Sequence, residues 1–174
     1  IKKARIEALL KHGVSLFAYH LPLDVHREFG NNVQLAKVLG IEIDGELAKQ
    51  NNHPIGLVGT ISEDTDFESL KALIADKLDR QPLAIEGNSK PIRSIAWCTG
   101  AAQNYIELAV AAGVDAYITG EVSEPTVHIA RESGIHFFSA GHHATERYGV
   151  QAIGGYLASK FGIDHQFIDI DNPV

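Results

Sequence analysis

Methionine is absent from all 174 positions, the first included, and cysteine occurs once, as Cys98. A lone thiol excludes a disulfide within the chain and fits a reducing compartment, so a cytoplasmic location is expected. Basic residues are scarce, 15 Lys and Arg against 22 Asp and Glu, which leaves a formal charge of −7. A nucleic-acid groove needs clustered Lys and Arg to meet phosphates, so no specific nucleic-acid partner is expected. No apolar run approaches the roughly 18–20 residues needed to cross a bilayer, and the opening residues do not read as a signal peptide, so no membrane partner is expected. What is present is an ordinary globular composition, 45% hydrophobic and 21% charged. The length suits one domain or two small lobes sharing a core.

The opening IKKARIEALLKHG reads as a helix already under way, with Ile6, Leu9 and Leu10 at i, i+3, i+4 and His12-Gly13 closing it. Having neither a start nor an N-cap, it is expected to continue from an upstream portion missing here. A layout then recurs in ALLKHGVSLFAYH (8–20), AVAAGVDAYITGE (109–121) and ARESGIHFFSAGHH (130–143). Each joins a helix tail, a glycine, a short apolar run and an abrupt polar group. Glycine at the helix stop followed by a β-branched residue is the expected connection from helix to strand. Helices alternating with buried strands predict an α/β fold with a largely parallel sheet covered on both faces.

Sites in open α/β sheets form outside the carboxyl ends of the strands. The three predicted strands deliver His20 to Asp24, Glu121 to Glu124 and His142 to Glu146, which are expected to meet on one edge. Elsewhere a helix is predicted over 31–39 with Asn31 or Asn32 as cap, and a strand over 57–61. A second helix over 66–79 is capped by Asp64, Thr65 or Asp66; 92–100 is a strand running into a loop, followed by a helix from about Gln103. The polar stretch 44–56 is the candidate junction. It divides a remnant of a first lobe, residues 1–45, from a second lobe, 46–174, whose last strand returns to the first.

Two segments carry chemistry. In YHLPLDVHREFGNN, Pro22 interrupts any ladder, and Asp24 follows His20 by four residues, with His26 two further on. A carboxylate and imidazoles in one loop suit a divalent metal; the alternative makes Asp24 a helix or turn cap. His26, followed by Arg27 and Glu28, reads as solvated. In SAGHHATERYG the i, i+4 spacing places His142 and Glu146 on one helix face, roughly 5–6 Å apart at Cβ, within reach of one metal or two. Neutral imidazoles on a metal avoid the conflict that protonated ones meet at a helix N-terminus, while Glu146 as a plain first-turn acid is the alternative. Beyond them Val150, Ile153, Leu157 and Phe161 step by three or four and are expected to face the core.

HLPLDVHREFGNN, AWCTGAAQ, TGEVSEPTVHIARESG, AGHHATERYG and HQFIDIDNPV, five separated motifs in order, together resemble the GTP cyclohydrolase type-2-homologue family. That family is also called NGG-one-interacting-factor-three-like, and the likeness is to its bacterial YbgI type. The resemblance implies a two-lobed α/β protein with mainly parallel sheets, assembled as a ring-shaped homohexamer, with two divalent metal ions per subunit between the lobes. Carried over motif by motif, Asp24 ligates one metal, His142 the other, and Glu146 bridges both. His20, Glu121 and His143 line the site as its acid–base groups. A His-His-Gly motif that the family carries upstream has no counterpart here, so two of its ligands are expected to be missing. The implied activity is metal-assisted hydrolysis of a small-molecule substrate, a nucleotide such as GTP being the family's suggestion. A non-catalytic metal-binding or protein-interaction module is the alternative. Mixed His and carboxylate ligands suit Fe, Zn, Mn and Ni alike. CTGAAQ (98–103) is too poor in glycine for a Walker-type phosphate loop.

Overall fold

A computed structural model describes residues 1–50, 53–88 and 90–174, and at 50, 53 and 62–64 the backbone alone. In chain order the elements are α1 (Lys2–Lys11), α2 (His20–Asp24), α3 (Asn31–Leu39), β1 (Ile41–Gln50), β2 (His53–Thr65), α4 (Phe67–Leu78), β3 (Leu83–Ile85) and β4 (Ile92–Cys98). A 3₁₀ turn (Gln103–Tyr105) then leads into α5 (Ile106–Ala112), followed by β5 (Ala116–Thr119), α6 (Glu124–Ser133), β6 (His136–Ser139), α7 (His142–Glu146) and α8 (Tyr148–Phe161). Among the described residues no helix is long and apolar enough to cross a membrane.

The strands form one sheet in the order β1-β2-β4-β5-β6-β3. Its centre, β4-β5-β6, is parallel, as the helix–strand alternation requires. The flanking pairings, β1 with β2, β2 with β4 and β3 with β6, are antiparallel. Both faces of the centre are buried, and the period of two sorts its side chains between two cores. Ile95, Trp97, Ile118 and Phe138 join Leu35, Leu39, Leu70, Ile74 and Leu78 from α3 and α4. Ala96, Cys98, Tyr117 and Phe137 join Ile106, Ala109 and Ala130 from α5 and α6. Trp97 is fully buried, and its indole N–H donates to the Asn32 carbonyl at 2.9 Å, so its one polar atom has a partner.

Several expectations are corrected. Residues 14–19 form no strand; their apolar side chains Val14, Leu16, Phe17 and Tyr19 are exposed, and His20 opens the short helix α2. Lacking a partner strand, an apolar run has nothing to pair with, so periodicity alone misleads there. Helix α3 is capped by Gly30 with no side-chain cap bond, because Asn31 and Asn32 are buried in its first turn. Asp66 does cap α4, accepting from the Ser69 amide at 2.7 Å; the side chain of Asp64 lies outside the described residues. The stretch 44–56, apart from Asn51 and Asn52, which lie outside the described residues, is strand in an antiparallel pair. The helix after Gly141 breaks at Arg147, and its apolar stripe does not face the core: Val150 is 48% exposed, Leu157 36% and Phe161 64%.

Candidate functional site

The three parallel strands end side by side, and a glycine follows each, directly for β5 and after one residue for β4 and β6: Gly100, Gly120 and Gly141. The amide of Gly120 donates to the Gly100 carbonyl at 2.9 Å, and that of Gly141 to the Gly120 carbonyl at 3.0 Å, so the ladder continues through the glycine row. A Cβ on Gly120 would stand 2.7 Å from both the Gly100 oxygen and the His142 Cα, so only glycine permits this approach. Glu121 and His142 begin immediately beyond the row. Thr145 locks the platform: its hydroxyl accepts from the Gly100 amide at 3.0 Å and lies 2.9 Å from the Gly141 carbonyl, to which it donates.

On this platform the His142 imidazole lies between two carboxylates. Nδ1 is 2.7 Å from Oε1 of Glu121, and Nε2 is 3.0 Å from Oε2 of Glu146. Gly100, at φ +68°, clears the space beside them; a Cβ there would be 2.7 Å from Cδ of Glu146 and 3.1 Å from Nε2 of His142. Burial disfavours a charge on His142, but the Glu121 hydrogen bond and the nearby Glu146 and Glu121 charges outweigh it, and the pKa rises. Glu146 is also raised, by burial first and by the Asp24 carboxylate second, with His142 and His20 opposing. Asp24 and His20 therefore act on Glu146 from the α2 side, bringing the predicted residues of both segments within electrostatic reach of one another.

Asp24 is held by residues read from sequence only as caps. The Asn31 amide donates to Asp24 Oδ1 at 2.7 Å and its oxygen accepts from the Gly149 amide at 2.7 Å, tying α2 to α8. The Asn32 oxygen accepts from the Thr99 amide at 3.0 Å, beside Gly100. His26 points its Nδ1 at the amides of Glu28 and Phe29, a local turn contact. Cys98 lies beneath the site: burial, then the charges of Asp24 and Glu146, push its thiol up to about 12, so it stays protonated. The Nε2 of His143 lies 2.6 Å from Oδ1 of Asp169. That hydrogen bond, then the Arg147 charge, hold the Asp169 carboxyl below its ordinary range.

Among the described residues no three His, Cys, Asp or Glu side chains converge as a ready metal site. The donors are committed to one another, His142 Nε2 to Glu146 and Asp24 Oδ1 to Asn31. Their chemistry nevertheless fits a divalent cation. A carboxylate, Glu146, whose proton affinity is raised by burial and by the neighbouring Asp24, an imidazole oriented from behind by Glu121, and a glycine cradle form a donor set that positive charge would relieve.

Residues 1–173 match the model of the Duf34/NIF3 (NGG1p interacting factor 3) family, and the chain belongs to that family. A Pseudomonas aeruginosa protein named GTP cyclohydrolase 1 type 2 homolog is 56% identical over 173 residues, which cover 99% of this chain and 68% of the relative. The protein of the same name from Vibrio cholerae is 49% identical, covering 100% and 69%. Among solved structures, the ybgI protein, described as of unknown function, superposes with a TM-score of 0.94 at 44% identity, covering 99% of this chain and 68% of the other. TTHA1606 from Thermus thermophilus superposes with a TM-score of 0.83 at 27% identity, covering 99% and 67%.

Proposed function

We propose that this Duf34/NIF3 chain contributes Asp24, His142 and Glu146 to a centre for two divalent metal ions, and that the site hydrolyses a small molecule. One observation carries the proposal: His142 is set between two carboxylates beyond adjacent ends of a parallel sheet, with Asp24 close enough to raise Glu146. The name borne by the Pseudomonas and Vibrio relatives makes GTP the first substrate to assay.

Each side chain has a distinct task. Glu121 accepts the Nδ1 hydrogen of His142 and so presents the Nε2 lone pair to a cation, which makes it an orienting group rather than a proton carrier. Asn31 fixes one Asp24 oxygen and leaves the other for ligation. Glu146 has two oxygens to share between neighbouring ions. A bound divalent ion, whether Fe, Zn, Mn or Ni, would supply Lewis acidity and make water nucleophilic near neutral pH. In the hydrolysis the water oxygen bonds to the electrophilic centre, its proton passes to His143 or His20, the bond from that centre to the leaving group breaks, and the leaving group takes a proton in return.

The decisive assay loads the protein with each metal and follows turnover of GTP and a panel of phosphoesters. Metal-dependent turnover lost in Glu146→Gln supports the hydrolase; full metal loading with no turnover on any substrate defeats it. That second outcome would favour a metal-binding or protein-interaction module, which the exposed apolar side chains of 14–21 and α8 also suit. The same surfaces are where contacts of a homohexamer would form, and light scattering on the purified protein tests that assembly.

A further inference from the structure

The segment after α8 returns across the site. The Arg80 guanidinium donates to the Pro173 carbonyl at 2.6 Å, and the His143 amide donates to the Val174 carbonyl at 3.3 Å. Between α8 and these anchors Asp169 divides its carboxylate. Oδ1 takes His143 Nε2 at 2.6 Å, and Oδ2 takes Arg147 Nη1 at 3.0 Å. Arg147 is itself fixed, since its Nη2 donates to the Leu78 carbonyl at 2.9 Å. The returning segment, with His142 and Glu146, borders an open recess of about 380 Å³, lined by His142, His143, Glu146, Asn172 and Val174.

From this geometry we infer that Asp169 is a positioning residue for His143: it fixes the hydrogen on Nε2 and keeps the Nδ1 lone pair as the proton acceptor of the site. The role assigned to His143 rests on the hydrolase proposal; the tautomer does not. A carboxylate accepts only, so a neutral imidazole facing it must donate from Nε2. Arg147 donates only, and by taking the other oxygen, Oδ2, it holds the carboxylate in place. Neighbouring histidines thus receive matching treatment, His142 from Glu121 and His143 from Asp169, the second reaching over from 26 residues downstream.

Asp169→Asn separates this arrangement from mere tethering. An amide has one oxygen, and Arg147 can face only that atom, so the amide nitrogen is turned toward His143. Nε2 must then accept, and the hydrogen moves to Nδ1. Neutron diffraction from crystals of the metal-loaded protein reads the tautomer directly. The expected result is hydrogen on Nε2 in the wild type and on Nδ1 in Asp169→Asn, with Asp171→Asn unchanged from wild type. Turnover in Asp169→Asn should fall about 100-fold or more at unaltered metal content, the scale of a lost general base. The same tautomer in wild type and Asp169→Asn overturns the inference, as does a changed tautomer with undiminished turnover. A wild type that turns over nothing defeats the hydrolase proposal instead, and the tautomer pair still decides whether Asp169 sets His143.

Discussion

His142 and Glu121, 21 residues apart in sequence, meet at 2.7 Å because β5 and β6 are parallel neighbours whose ends release both residues at the same height. A carboxylate behind a ligating imidazole fixes its tautomer and strengthens the donor on the far side. Glu121→Ala should therefore weaken metal binding by roughly tenfold to hundredfold. Glu121→Gln, which keeps an acceptor but loses the charge, should weaken it less. Calorimetric titration of the metal-free protein orders the variants, and equal affinity across all three proteins would remove Glu121 from the centre.

Gly100 and Gly113 offer a matched pair. Both are left-handed, at φ +68° and +72°, so alanine at either should cost about 1–2 kcal/mol of stability. Around Gly113 a Cβ meets nothing within 4 Å, whereas at Gly100 it collides with the Glu146 carboxyl and crowds His142. Thermal melts should thus show a loss for Gly100→Ala at least as large as that for Gly113→Ala, while elemental analysis shows metal lost from Gly100→Ala alone. Metal retained in both would mean that the cradle is not where the ion sits.

The parallel centre was legible because β5 and β6 are short apolar runs between glycines and β4 runs into one, and burial on both faces leaves them no other form. The edge strand β1 was not. In IEIDGELAKQ the charges at Glu42, Asp44, Glu46 and Lys49 suit an edge, and its pairing with β2 slips at three points, so no clean period of two survives. The stripe on α8 is real, but periodicity reports that a face is apolar and says nothing about what covers it. Within the site, His142 and Glu146 follow from helical spacing, and Glu121 follows from its place after a strand. Asn31 and Asp169 could not be found that way: an amide at a helix start resembles a cap, and Asp169 acts across 26 residues of intervening chain.

Asp115 should dominate one part of the acid response. Its Oδ2 accepts from the Arg93 and Ser94 amides at 3.0 and 2.9 Å and from the Ser94 hydroxyl at 2.8 Å, joining the start of β5 to β4. Burial raises its pKa, but the backbone donors of Ser94 and Arg93 outweigh it and the carboxyl falls below its ordinary 3.8. The stabilisation is then complete above the unfolded-state value and lost as pH falls through the lower folded-state value. Since the group is partly exposed, Asp115→Ala should cost only about 1–2 kcal/mol near neutral pH. Urea denaturation should show that gap narrowing once the pH drops below about 4; a gap independent of pH would show that ionised Asp115 contributes nothing.

Asn31 and Asn32 are adjacent, both buried, and both bonded through their side chains, yet only one touches the carboxylate of Asp24. Asn31→Ala frees Asp24 Oδ1 and leaves the buried Gly149 amide without its acceptor. Asn32→Ala removes the acceptor of the Thr99 amide and a long contact to the Asp24 backbone carbonyl, leaving the carboxylate's own bond intact. Each variant strands a buried N–H, so each should lose about 1–3 kcal/mol in chemical denaturation. Their effects on metal should diverge. With Asp24 no longer held, Asn31→Ala should bind less metal at a limiting concentration, while Asn32→Ala stays close to wild type. Equal metal content in two equally destabilised variants would mean that Asp24 needs no anchoring to ligate, or does not ligate at all.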